Sequence, residues 1–261
     1  MMDSVHPLKS RGVFRYLEMG GAGGDGPPVL LLHGMIGGIG NWDATTEALA
    51  RGGHRVLVPH LPVFERSRLD ASVVAFAHFI AAFLDELHIE RVVAAGNSLG
   101  GHIATLLCLE HPDRVAALVL LGSSGIDEMD MGATAIRRND RAFLRERAEL
   151  TFFDPVHVTD RLLDEIIEVI NDRSKAFSIL HLAKSVKTEM VAHRLGEIRV
   201  ETLIVWGRDD QVTPPAVAET FAAGIAGSRL HWMERCGHAP MMEHPEAFNR
   251  LLLDFVAPFV P

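Results

Sequence analysis

The stretch RVVAAGNSLGG, Arg91–Gly101, runs straight on into HIATLLCLEHP. A short apolar run stops at Gly-Asn-Ser-Leu-Gly, and the chain then turns apolar again at once. A loop would explain the glycines but not that immediate return. The pattern reads as a buried strand, a very tight turn and a buried helix, with the Ser98 hydroxyl at the apex. A Gly-x-Ser-x-Gly sequence in that setting holds its serine in a strained backbone geometry, and the flanking glycines remove clashes that a Cβ would create. The serine then projects above the sheet, at the positive end of a helix.

A serine hydroxyl is a poor nucleophile until a base takes its proton, and the base needs an orienting carboxylate. The stretch ERCGHAPMMEHPEAF supplies a base in His238, after the last strand-like run and before the last helical one. The stretch VWGRDDQVTPP supplies the acid, since Asp209 and Asp210 end the preceding apolar run. Asp210 is preferred because it stands four residues before Pro214, which leaves Asp209 to a turn or cap. Asp127, beyond the strand that precedes the charged middle segment, is a third candidate. The order Ser, Asp, His along the chain suits a serine at a strand-to-helix turn. Two backbone N–H groups must face the developing oxyanion. Leu99, just after the serine, provides one, and Met35 in HGMIGG (His33–Gly38) provides the other. His33 and His102 read as structural imidazoles, not as second bases.

Around these motifs, short apolar runs alternate with helical patterns, the signature of βα units around a mostly parallel sheet. PPVLLLHG, HRVLVPHLP, RVAALVLLGSSG and ETLIVWGRDD are strand-like, and RLHWMERCGH fits a strand nearer the edge. Ser72–Leu87 opens at a serine N-cap and repeats its apolar positions at helical spacing. Pro215–Ala226 and Pro245–Phe255 carry proline where a helix start tolerates it. The opening strand is joined to the first core strand through the glycine-rich GGAGGDGPP. Residues 126–196 break the alternation: they are highly charged and contain three helical patterns. The expected organisation is a core of residues 1–125 and 197–261 with a helical cap of residues 126–196.

The chain has 261 residues, 48% of them hydrophobic and 23% charged, which suits a soluble domain with a large core. A net charge of -9 excludes the basic footprint of a nucleic-acid binder. Two cysteines, Cys108 and Cys236, are too few for a disulfide scaffold. Cys236 with His231 and His238 lacks the ligand pairing of a zinc site, so no metal or cofactor is expected. No apolar run reaches the ~18–20 residues that span a bilayer. The first residues lack the apolar core of a secretory signal, so a cytoplasmic protein without membrane attachment is expected. Homo-oligomerisation is left open.

Taken together, HGMIGG, GNSLGG, WGRDDQVTP and CGHAPMMEHPEAF resemble the α/β-hydrolase fold superfamily, in the right order and over essentially the whole chain. The resemblance is to cap-bearing members, among them carboxylesterases and the carbon–carbon bond hydrolases of aromatic ring-fission products. GNS at the turn resembles the latter. Those enzymes usually carry an aromatic residue after the histidine, where this chain has Ala239, and an oxyanion loop longer in small residues than MIGGIGNW. The fold's usual D-x-P-G-x-G-x-S is here HLPVFERS, His60–Ser67. Relatives that are dehalogenases or epoxide hydrolases carry a carboxylate at the turn, so Ser98 implies acyl chemistry.

The sequence therefore leads to an ester hydrolase acting on a small to medium, fairly apolar substrate. Ser98 attacks, His238 relays the proton and Asp210 holds the imidazole. The alternative is carbon–carbon bond hydrolysis of a vinylogous diketo acid, which needs an anion-binding arginine inside the cap. A non-catalytic binding protein on the same fold is the third reading. Phe143, Phe152, Phe153 and Phe177 are candidates for the pocket wall, although such residues also serve to pack cap helices together. Of Arg137, Arg138, Arg141, Arg145 and Arg147, most must form a solvated face, because five in eleven positions cannot share one cleft.

Overall fold

Branched aliphatic residues dominate the strands at the centre of the molecule. The computed structural model describes residues 4–21, 26–64, 71–127 and 140–259. The strands are β1 (Lys9–Arg11), β2 (Phe14–Met19), β3 (Val29–Leu32), β4 (Val56–Pro59), β5 (Val92–Asn97), β6 (Val115–Leu121), β7 (Glu201–Gly207) and β8 (Arg229–Met233). They form one eight-stranded sheet in the order β1-β2-β4-β3-β5-β6-β7-β8. The β1–β2 and β2–β4 pairs are antiparallel, and the pairs from β4 to β8 are parallel. β3, β4, β5 and β6 are buried along their whole length, as strands covered on both faces must be. β8, at the edge, alternates exposed and half-buried positions up to Met233.

The helices are α1 (Asp43–Arg51), α2 (Val73–Glu86), α3 (Leu99–Glu110), α4 (Arg141–Glu149), α5 (Asp160–Asn171), α6 (Arg173–Thr188), α7 (Pro215–Gly224), α8 (Pro240–Glu243) and α9 (Pro245–Val256). Alternate strand residues face opposite sides of the sheet and so feed two apolar clusters. Leu30 and Leu32 of β3 join Phe76, Phe83, Ile103 and Leu107 of α2 and α3 in one. Val29 and Leu31 join Trp42 and, from α1 and α9, Leu49, Phe248 and Leu252 in the other. Each fully buried leucine contributes about 2 kcal/mol relative to an exposed one. The Ser72 hydroxyl caps α2 by accepting from Ala75 N at 3.1 Å.

Among the described residues, the α-helices α4 to α6 lie between β6 and β7. Each starts at a side-chain cap: Asp140, Thr159 and Asp172 accept from Phe143, Leu162 and Ser174 backbone N–H groups. The end of α6 is fastened to the start of α2 and to the loop beyond β6. Val73 N donates to Ser185 Oγ, Val74 N to a Glu189 carboxylate oxygen, and Val191 N to Gly125 O at 2.8 Å. Among the described residues, no helix is long and apolar enough to cross a membrane.

Candidate active site

Ser98 sits between β5 and α3 with φ 57° and ψ -121°, a conformation that costs a non-glycine residue about 1–3 kcal/mol. Neighbouring backbone holds it there. Ser98 N donates to Leu121 O at 2.9 Å, and Ser98 O accepts from His102 N and Ser124 N. The turn is possible because α3 starts hard against β3. A Cβ at Gly100 would collide with the Leu32 carbonyl oxygen, and one at Gly96 with the Gly100 backbone. Ser98 remains partly exposed.

His238 lies after β8, on the same carboxyl edge of the sheet. Its Nδ1 is 2.9 Å from Asp210 Oδ2, and both side chains are nearly buried, at 5% and 3% residue exposure. A carboxylate accepts and does not donate, so the proton sits on Nδ1 and leaves Nε2 as the basic nitrogen. Of the three carboxylates considered, Asp210 is the one against His238. Asp209 is exposed, with its N–H on Cys236 O at 2.9 Å, and Asp127 is exposed beyond β6. Asp210 Oδ1 accepts from the backbone N–H groups of Val212 and Thr213, both at 2.9 Å. Thr213 Oγ donates to Asp210 Oδ2 at 2.8 Å and lies 3.2 Å from His238 Nδ1.

Three more groups fix the histidine loop. Asn97 Nδ2 donates to His238 O at 2.8 Å and to Leu121 O at 3.1 Å, tying the loop to the base of the turn. His238 N donates to Thr151 O at 2.8 Å, just after α4. The Glu243 carboxylate accepts from Gly237 N, Ala239 N and Phe153 N at 3.0, 3.3 and 2.7 Å. The Cys236 thiol lies 3.7 Å from Glu243 Oε1, and burial beside that carboxylate pushes its pKa up. It is a weak donor here, not a thiolate. Sequence reasoning assigned no role to Asn97, Thr213 or Glu243. Their signals were present as the polar residues of GNS, VTPP and MMEHP, but contact across the sheet edge is not encoded in spacing.

His33 Nδ1 donates to Gly34 O at 2.8 Å, and Nε2 accepts from Leu61 N at 3.2 Å. Both roles require the neutral ring, and burial lowers its pKa to about 4. His33 thus braces the loop carrying Met35, as expected of a structural imidazole. A Cβ at Gly34 would sit 3.4 Å from Ser98 Cβ, so this loop adjoins the serine. Leu99 is the first residue of α3, where N–H groups have no acceptor within the helix. His102 Nε2 donates to Glu189 O at 2.9 Å, and burial lowers that ring's pKa to about 4 as well.

The four phenylalanines do not share one environment. Phe152 is buried in the cluster that holds Met233, Cys236 and Ala239. Phe153 and Phe177 are exposed, at 40% and 51%, with Arg235 over the Phe153 ring. Phe143 is half-buried beneath Arg147. Arg141 pairs with Asp160 and Asp164, and Arg145 with Asp160, all on the surface. Arg137 and Arg138 lie outside the described residues. A shallow cleft of about 260 Å³, lined by Gly125, Ile126, Asp127, Val186, Lys187 and Met190, opens beside the end of α6.

Known proteins share this arrangement of chain. A 2-hydroxy-6-oxononadienedioate/2-hydroxy-6-oxononatrienedioate hydrolase of Cupriavidus pinatubonensis is 32% identical, over 90% of this chain and 88% of that one. A 2-hydroxy-6-oxo-6-phenylhexa-2,4-dienoate hydrolase of Burkholderia cepacia is 31% identical, over 90% and 89% respectively. MGS-MChE2, an alpha/beta hydrolase enzyme from the metagenome of sediments of the Mar Chica lagoon in Morocco, is 37% identical. Its structure aligns with a TM-score of 0.79 over 97% of this chain and 99% of its own. The model of the alpha/beta hydrolase family matches residues 29–251. With that match spanning Ser98, Asp210 and His238, this chain belongs to the alpha/beta hydrolase family.

Proposed function

We propose that this chain is a serine-dependent hydrolase that cleaves a carbon–carbon bond in a 2-hydroxy-6-oxo-dienoic acid. The observation that carries the chemistry is the buried Asp210–His238 pair on the sheet edge that also presents strained Ser98. The substrate class rests on the relatives at about 30% identity over most of the chain, whose names specify such acids. The motifs alone favoured an ester. An acid of this class holds no ester or amide between its hydroxyl and oxo carbons, so its hydrolysis must break the bond beside the 6-oxo carbon.

In this reading Ser98 Oγ passes its proton to His238 Nε2 and bonds to the 6-oxo carbon. The carbonyl electron pair moves onto oxygen, facing the Leu99 and Met35 N–H groups. Collapse of that adduct in its keto tautomer breaks the C5–C6 bond. The electron pair left on C5 is delocalised toward the 2-oxo acid, and protonated His238 returns a proton to this fragment. Water then gives a proton to His238 and its oxygen to the acyl carbon, and His238 passes that proton to Ser98 Oγ as the acyl bond breaks, which releases Ser98 and a carboxylic acid. Loss of one oxyanion donor lowers turnover by about 10²–10³-fold in comparable sites.

Ester hydrolysis is retained as the second reading because four basic residues of the α4–α6 segment are already engaged. Arg141, Arg145, Arg161 and Lys175 all pair with surface carboxylates. Ala239 also replaces the aromatic residue typical of the ring-fission enzymes. The two readings separate in one assay pair. Wild type and Ser98→Ala are given a 2-hydroxy-6-oxo-dienoate, followed by its visible absorbance, and p-nitrophenyl esters from acetate to octanoate. Dienoate turnover well above ester turnover, lost with Ser98, supports the proposal. Ester turnover with an inert dienoate replaces it with the second reading.

A further inference from the structure

We infer that Thr213 is a positioning residue for both the acid and the base of this site, and that its hydroxyl, not its bulk, carries the role. The inference rests on the proposed roles of Ser98, His238 and Asp210. Thr213 is fully buried, and its Oγ is 2.8 Å from Asp210 Oδ2 and 3.2 Å from His238 Nδ1. A buried carboxylate paired with an imidazole accepts, so the single hydroxyl proton points at Asp210 Oδ2. The oxygen's lone pairs are then left for the Nδ1–H of His238. That proton faces two acceptors at once, Oδ2 at 2.9 Å and Oγ at 3.2 Å. The three groups close a triangle in which each fixes the other two.

The backbone that carries the hydroxyl is itself held at two points. Thr213 N donates to Asp210 Oδ1 at 2.9 Å, and Thr213 O accepts from Trp206 Nε1, also at 2.9 Å. Trp206 is fully buried at the end of β7. The backbone of the VTPP turn is therefore anchored to the strand that carries the acid, and Oγ has little freedom to leave the triangle. With Asp210 Oδ1 held by two backbone N–H groups, an Oδ2 with one partner can still tilt, and an imidazole with one acceptor can swing in its plane. The threonine hydroxyl suppresses both motions, keeping Nδ1 protonated and Nε2 aimed at the serine. Geometry lost there is felt in the chemical step and not in substrate binding, because Thr213 lies behind the histidine relative to Ser98.

The test compares Thr213→Val, which keeps shape and removes the hydroxyl, with Thr213→Ser, which keeps the hydroxyl. Thermal melting establishes that each is folded. Two readouts follow: steady-state turnover of the substrate class identified above, and the second-order rate of labelling by a fluorophosphonate. Ser98→Ala and His238→Ala serve as controls. Loss of a buried hydrogen bond to a charged group should lower kcat and the labelling rate about 10- to 100-fold in Thr213→Val. KM should stay within about twofold, since binding contacts are untouched, and Thr213→Ser should recover most of the rate. Folded Thr213→Val with wild-type kcat and labelling overturns the inference, as does an equal loss in Thr213→Ser. Labelling that persists in Ser98→Ala overturns the parent reading instead.

Discussion

At the scale of single residues, the site is decided by which groups accept and which donate. Asp210 accepts from two backbone N–H groups, the Thr213 hydroxyl and His238 Nδ1. An asparagine there would aim its NH₂ at some of these donors and favour the imidazole tautomer with the proton on Nε2, which cannot accept from Ser98. Asp210→Asn should therefore lower kcat by about 10⁴-fold, the size seen where a triad acid is so replaced. Asp209→Asn, at an exposed carboxylate one position away, should leave turnover near wild type. Equal losses in the two variants would show that the Asp210–His238 contact is not the working pair. Which of these neighbours faces His238 was legible in the G-x-x-D-x-x-x-P spacing, whereas the Thr213 hydroxyl was not. A threonine before a proline reads as turn chemistry until the histidine loop is brought to it.

At the scale of elements, the strands and most helices follow directly from composition and spacing. The apolar runs became β3 to β7, the exposed pattern of RLHWM became the edge strand β8, and the Ser72 cap and proline starts marked α2, α7 and α9. The helix α1, DATTEALAR, was not legible, because its few apolar residues give no clear stripe until Leu49 meets α9. Contacts between the α4–α6 segment and the rest of the chain were hidden for another reason: each has a backbone group as at least one partner, and a backbone group leaves no residue signature. Glu243 is the clearest case. Its carboxylate takes N–H groups from Gly237 and Ala239, which flank the histidine, and from Phe153 beyond α4. Glu243→Ala strands the buried Gly237 and Ala239 donors, and each buried polar group left unpaired costs about 1–3 kcal/mol. The expected result is a lower urea midpoint together with reduced kcat. A variant as stable and as active as wild type would show that water replaces the carboxylate without loss.

At the scale of the whole molecule, stability couples to pH through rings that fold buried and neutral. His33 and His102 are each lowered from 6.5 to about 4 by desolvation. Between those values the unfolded chain binds protons that the folded chain does not. The stability present above pH 6.5 is therefore lost as pH falls toward 4. Urea midpoints should decline across that window, and His102→Gln should show a shallower decline than wild type. A midpoint that rises as pH falls through 6 would contradict the buried neutral assignment.

The fold also places Ser98, His238 and Asp210 at a single sheet edge, and the central claim is that this makes Ser98 a nucleophile. The most direct measurement is intact-mass spectrometry after exposure to a fluorophosphonate, with peptide mapping of the adduct, on wild type, Ser98→Ala and His238→Ala. One adduct per chain on Ser98, absent in Ser98→Ala and strongly slowed in His238→Ala, is the predicted result. Folded wild type that takes no adduct, or an adduct that persists in Ser98→Ala, would contradict it.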